Sequence, residues 1–238
     1  LGNLVDAMSR IIGAENQFLN ADRLQVNPEE NGFVCSFEVN NQPTTIRSQK
    51  VITTCGGKAL PGLLPFVPHV LINDASNAAY AKVVQVAAGY KNWDGVKLNA
   101  FGGLVPSKGK RNMLGVLFPS SLFESRAPQG GALLSVFLGG IKKPEYYDKP
   151  DDEIEQIVLS EIEQTLGSRQ QPDLLRIFRY DQAIPQYEQS TGQRLEALSR
   201  IQEQFTGLII AGNLRDGIGM ADRVKQGRQI ANQIIQEL

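Results

Sequence analysis

The chain has 238 residues, 42% hydrophobic and 21% charged, with a formal net charge of −1, a profile that suits a globular protein of one large domain or two small ones. That balance argues against nucleic acid as a partner and against a strongly acidic substrate. Two cysteines and one histidine are too few for a typical structural zinc site, no metal ligands are assigned, and a cytoplasmic, reducing location is the default expectation.

The sequence opens without methionine, directly in a helical pattern of Leu4, Val5, Met8, Ile11 and Ile12. A chain rarely begins inside a packed helix, so a longer polypeptide is expected. A short strand is predicted within 17–26, and Asn27 to Gly32 is turn chemistry. Phe33 to Val39 alternates, Asn40 to Pro43 turns the chain, and a return strand begins at Thr44, so the segment reads as a β-meander. Lys50-Val-Ile-Thr-Thr-Cys-Gly-Gly57 is an apolar strand running into a diglycine. Cys55 has no basic neighbour in sequence to lower its pKa and reads as packing. Prolines 61, 65 and 68 break up 59–77, which reads as a crossover between two domains, with His69 in a loop where surface histidines are commoner than catalytic ones.

Four strand-like runs follow, at 80–90, 100–105, 114–118 and 132–138, and predict one antiparallel sheet. Ser120, Ser121 and Ser125 lie between them without a G-x-S-x-G elbow, which speaks against a hydrolase. Residues 151–162 predict a helix with acids in its first turn and a buried stripe of Ile154, Ile157, Val158 and Ile162; its acids read as a solvated face. Leu174 to Tyr180 reads as a strand, 183–187 as a junction, and 193–205 as a helix with Leu195, Leu198 and Ile201 inward. Last comes Leu208-Ile209-Ile210, then a turn carrying Gly212, Gly217 and Gly219, then helical periodicity from Met220 to Ile235. Such a strand, bare loop and helix start brings main-chain N–H groups close to a ligand, most simply a nucleotide cofactor, or else serves only as a tight connection.

Several motifs then occur in series: Phe101-Gly-Gly-Leu-Val-Pro, Leu114-Gly-Val-Leu-Phe-Pro-Ser-Ser-Leu-Phe, Leu133-Leu-Ser-Val-Phe-Leu-Gly-Gly140, Ala183-Ile-Pro-Gln-Tyr187, and Ala211-Gly-Asn with Asp216-Gly-Ile-Gly-Met220. Their order and spacing over most of the chain resemble the protoporphyrinogen oxidases, FAD-dependent enzymes of haem synthesis related to the monoamine oxidases. The resemblance implies a six-electron oxidation of a porphyrinogen with electrons passed through flavin to molecular oxygen. It implies FAD contacts at Gly212, Gly217, Ile218, Gly219, Met220 and Tyr180, and an apolar substrate wall at Leu104, Leu117 and Phe137. On the residues alone, without the resemblance, those three read first as ordinary sheet core. No catalytic base is named.

In those enzymes a G-x-G-x-x-G turn opens the FAD lobe, and this sequence has none; where a third glycine would follow Gly217 and Gly219 stands Asp222. The family's membrane-associating region and substrate-carboxylate arginine would belong to the same missing half. The expected fold is α+β: an antiparallel-sheet substrate lobe with packed helices over 63–185, and the remaining part of an FAD-binding α/β lobe, lacking its first Rossmann unit, from 1–62 and 186–238. This chain alone is expected to be inactive and to bind FAD weakly. Two alternatives stand beside this: a piece of another flavin amine oxidase, for which Tyr180 and Tyr187 are the aromatic candidates, and a non-catalytic tetrapyrrole-binding module. Oligomeric state and the propionate pattern of the substrate stay open.

Overall fold

The structure, a computed structural model, describes residues 2–106 and 108–237. In chain order the elements are α1 (Gly2–Ile12), β1 (Ala21–Glu29), β2 (Gly32–Val39), β3 (Gln42–Ser48), β4 (Val51–Thr53), α2 (Leu60–Leu63), α3 (His69–Ser76), β5 (Tyr80–Tyr90), β6 (Gly102–Leu104), β7 (Met113–Leu117), α4 (Pro119–Leu122), β8 (Ala132–Gly139), α5 (Asp151–Leu166), β9 (Leu174–Pro185), α6 (Thr191–Gln204), β10 (Leu208–Ile210) and α7 (Met220–Gln236). They form two compact units, one from 1–78 with 187–238 and the other from 79–186. The fold is α+β with antiparallel sheets, and both ends of the chain build one unit.

The first break therefore falls after Ala78 and not after residue 62. The reason is that 59–77 is not an irregular crossover. Pro61 sits in the first turn of α2 and Pro68 immediately precedes α3, places where a missing N–H and a fixed φ suit a helix start. Leu60, Leu64, Leu71, Ile72 and Ala75 are buried, and α3 packs on α6 of the same unit. His69 is thus the first residue of α3, where its Nδ1 lies 3.1 Å from the Asn73 amide nitrogen.

In the first unit β1, β2 and β3 form the expected meander. Asn40 and Asn41 both adopt positive φ, 52° and 62°, which asparagine tolerates and a two-residue hairpin turn requires. β1 continues through Pro28 to Glu29, beyond the predicted turn, because a proline fits an edge strand whose N–H is not needed. A separate two-stranded parallel sheet pairs β10 with β4. The N–H of Ile210 donates to the Gln202 amide oxygen at 2.7 Å, so a side chain of α6 serves one outer edge of this pair. α1 forms as predicted but buries none of its residues: Val5 is 63% and Ile11 87% exposed.

The second unit is a five-stranded antiparallel sheet in the order β6-β7-β8-β5-β9. β9 runs through the predicted junction as far as Pro185. α5 lays Ile154, Val158, Ile162 and Leu166 on one sheet face against Val84, Val86, Leu134, Val136 and Leu138, with Ile157 at the margin of the cluster. Burying each such side chain stabilises the unit by about 1.5–3 kcal/mol before entropy is counted. Asp151 pairs with Arg179 at 2.5 Å and Glu153 with Lys149, but Glu161 is not on a solvated face. It is 3% exposed, accepts the Asn112 N–H at 2.9 Å and faces Arg111 at 3.6 Å. Its helical position places it with the buried stripe, and these two partners offset the desolvation of its carboxylate. Gly167 closes α5 at φ 76°, the usual left-handed helix stop.

Candidate functional site

Residues directly opposite in a ladder point to the same side, and along each strand the sides alternate. Leu104 pairs with Gly115, Gly115 with Phe137, Phe137 with Gln85, and Gln85 with Phe178. The next row on that side runs Gly102, Leu117, Ser135, Ala87 and Arg176, and beside them Val83 pairs with Tyr180. The three predicted substrate residues, Leu104, Leu117 and Phe137, therefore share one face of one sheet, and Tyr180 lies on it too. It is the face opposite α5. Val116, Val136 and Val86, one residue out of phase, fill the core instead.

This face is shaped by side-chain size. Gly115, Ser135 and Ala87 leave its centre low, and the Gln85 amide donates to the Ser135 hydroxyl at 3.3 Å. Leu117 and Phe137 are half-buried, Phe178 and Tyr180 are each 45% exposed, and Leu104 on the edge strand is 86% exposed. The result is a shallow apolar platform with a polar point near its middle. Phe178, Gln85, Ser135 and Arg176 were missed from the sequence: the alternation of β5, β8 and β9 holds them, but only the register shows that they stand beside Phe137 and Leu117. Ser120 receives the Leu133 N–H at 3.0 Å and Ser121 donates to the Leu98 carbonyl, so both hydroxyls secure the chain around α4.

The glycine loop belongs to the other unit. Gly212, Gly217, Ile218, Gly219 and Met220 come together between β10 and α7. Gly212 has φ 89°, and a Cβ there would stand 2.9 Å from the Thr54 carbonyl oxygen, so only glycine permits this close passage of loop and strand end. At Gly217, φ 93°, a Cβ would meet the Asp222 carboxylate. Asp222 accepts the Gly219 N–H at 2.9 Å, one half of a capping box at the start of α7. Its own carboxylate thus occupies a place where an incoming anion would gain from the helix dipole. The Gly212 N–H is also engaged, by the Gln226 amide oxygen at 2.9 Å. Ile218, 48% exposed, keeps its N–H without a protein acceptor among the described residues.

The loop is fastened from behind by side chains of α7. Arg223 donates to the carbonyl oxygens of Gly212, Arg215 at 2.9 Å, Asp216 at 3.1 Å and Gly217 at 2.9 Å. Gln226, 7% exposed, adds a 2.8 Å bond to Asp216. Tyr187 reaches the Asn213 carbonyl with its hydroxyl at 3.3 Å. A cavity of about 700 Å³ opens beside this assembly, lined by Thr54, Gly212, Asn213 and Arg223 together with the apolar Ile52, Ile230 and Ile234. Cys55 lies near a separate hollow, and burial pushes its thiol above the ordinary value, which does not favour a nucleophile.

Fold and motifs converge with what the chain is similar to. The pattern of the family described as flavin containing amine oxidoreductase matches residues 1–235, and the chain belongs to that family. Among curated relatives, mitochondrial protoporphyrinogen oxidase of Nicotiana tabacum is 31% identical over 75% of this chain and 34% of its own length. Coproporphyrinogen III oxidase of Bacillus subtilis (strain 168) is 25% identical over 83% of this chain and 42% of its own. The chain thus spans less than half the length of these relatives. Among solved structures, cyclohexylamine oxidase from Brevibacterium oxydans IH-35A has a TM-score of 0.68 at 15% identity, over 99% of this chain and 51% of that one. A structure from Exiguobacterium sp. 255-15 has a TM-score of 0.75 at 17% identity, over 92% and 47%; both likenesses concern the fold.

Proposed function

We propose that this chain supplies the substrate sheet and the loop-and-helix part of the flavin site of an FAD-dependent oxidase that converts a porphyrinogen to a porphyrin with molecular oxygen. The observation that carries the reading is the shared sheet face. Leu104, Leu117 and Phe137 come from three separate motifs, and nothing in their sequence spacing requires them to meet. A flat macrocycle needs a broad apolar floor with few polar points to displace its hydration, and the row from Leu104 to Phe178 has that character. Arg176 stands at the margin of this floor, where its guanidinium suits a propionate carboxylate at the rim of the ring. The names of the relatives in tobacco and Bacillus subtilis favour the same substrate class.

The loop residues fit a flavin. Gly212 and Gly217 strip side chains from the approach, Ile218 offers an unpaired N–H, and exposed Ile218 and Met220 give apolar contact. Met220 and Ile218 would hold the ring system. A bound flavin supplies the two-electron oxidation and the passage of electrons to oxygen, repeated for a six-electron change. Because the sequence holds no G-x-G-x-x-G turn for the pyrophosphate, residues 1–238 by themselves should bind FAD weakly and turn nothing over.

The test is to express the longest reading frame containing this sequence and to follow flavin absorbance and porphyrin fluorescence with porphyrinogen as substrate. Stoichiometric FAD and porphyrin formation are the expected results. Oxidation of primary amines without porphyrinogen turnover would overturn the substrate assignment, and absence of flavin would overturn the whole reading.

A further inference from the structure

The Arg223 guanidinium is the best-connected polar group of the first unit. It bonds the carbonyls of Gly212, Arg215, Asp216 and Gly217 and also the Gln226 amide oxygen at 2.7 Å. A carbonyl oxygen of a loop more often faces solvent; four of them converging on one side chain is a backbone held inside out. The nearby carboxylates are otherwise engaged. Asp216 lies 3.4 Å from Arg215 and receives Gln226, while Asp222 receives the Gly219 N–H. The Arg223 charge therefore meets amide oxygens, and its Nε is buried without an acceptor among the described residues.

We propose that Arg223 is a positioning residue for the cofactor loop: by gathering these carbonyls behind residues 212–217 it turns the opposite side of the backbone, with the N–H of Ile218, toward the ligand and keeps it there before the ligand arrives. This rests on the flavin reading given above. The physical basis is the guanidinium's five fixed donors. Nη1 serves Gly212 and Gln226 while Nη2 is shared among Arg215, Asp216 and Gly217, a division of donors that a single ammonium does not offer. A lysine at this position keeps the charge but has fewer, less directed donors. Prepaid ordering of a binding loop appears as affinity because the ligand no longer bears its entropic cost.

The experiment uses Arg223→Ala and Arg223→Lys, with Lys225→Ala as a control that removes a charge from the same helix. Hydrogen exchange of the amides of 212–219 should accelerate at least about tenfold in Arg223→Ala, corresponding to about 1.4 kcal/mol, with the strands β5–β9 unaffected. In the flavin-loaded protein the dissociation constant for FAD should rise by at least about tenfold, Arg223→Lys should fall between parent and alanine, and added guanidinium should recover part of the loss in Arg223→Ala. Recovery by guanidinium is a response that general destabilisation would not give. Unchanged exchange and affinity, a loss that guanidinium does not relieve, or the same loss in Lys225→Ala would each overturn the proposal. These FAD measurements are made on the protein of the longest reading frame; if that protein takes up no FAD, the flavin reading fails, and the exchange measurement alone decides the role of Arg223.

Discussion

The two units complete their cores to different degrees. The sheet of residues 79–186 has one face sealed by α5, with Val84, Val86, Leu134, Val136, Leu138, Ile154 and Val158 all at 0% exposure. The unit formed by both ends of the chain carries a parallel sheet of only two strands, β10 and β4. Parallel sheets are ordinarily covered on both faces, yet Ile52 on β4 is 45% exposed and α1 presents Leu4, Val5, Met8, Ile11 and Ile12 to solvent. The unit of residues 79–186 seals one sheet face and leaves the other as the platform of Leu104, Phe178 and Tyr180. The unit built from both chain ends leaves apolar residues of β4 and α1 exposed, and its glycine loop is held by Arg223 and Gln226.

The contrast predicts where substitutions hurt. Ile154→Ala or Leu134→Ala, removing side chains at 0% exposure, should cost about 2–5 kcal/mol, read as a lower denaturant midpoint and loss of protection across β5–β9. Phe137→Ala on the open face of the same sheet should leave that midpoint within about 1 kcal/mol, because the ring is only half-buried. It should weaken porphyrinogen binding by about tenfold or more, measured as KM in the full oxidase; equal binding would remove the face from the site. Ile52→Ser in the open unit should change the stability of this chain by less than about 0.5 kcal/mol. A large loss there would show that the unit's core is closed after all.

A smaller effect concerns Tyr90, 2% exposed, whose hydroxyl has no hydrogen-bond partner among the described residues. Burial, reinforced by the Asp94 charge, pushes its pKa up to about 12. A raised folded-state value means that the folded protein holds this proton after the unfolded chain has released it. The stabilisation associated with the neutral phenol is therefore complete below about pH 10. It declines by up to about 1.4 kcal/mol per pH unit as pH rises toward the folded value. Tyr90→Phe should abolish that alkaline decline and leave stability at pH 7 equal or about 1 kcal/mol higher, since an unpartnered hydroxyl is removed from the core. Denaturation as a function of pH, alongside tyrosinate absorbance, checks both.

Much of the fold could be read from local pattern. The meander, the antiparallel runs at 80–90, 114–118 and 132–138, the stripe of α5 and the strand, loop and helix at 208–235 all follow from periodicity and turn chemistry, which act over neighbouring residues. The helices at 60–63 and 69–76 were hidden because their prolines look like breakers until their place in the first turn or before it is known. Glu161 was hidden because a carboxylate is read as exposed unless partners such as Asn112 and Arg111, distant in sequence, are seen beside it.

By itself, then, the sequence determined most of the elements, though not α2 and α3, along with the glycine loop and the motifs that name candidate residues, because propensity, spacing and backbone freedom are local properties. Tertiary structure decided which of those residues share a surface. Register placed Leu104, Leu117, Phe137, Phe178 and Tyr180 on one side of a sheet, since a shift of one residue would have turned any strand's contribution into the core. It also decided what holds the loop: Arg223, an ordinary helical arginine in the sequence, is aimed by one turn of α7 at four carbonyls whose convergence depends on the path of the chain through Gly212 and Gly217.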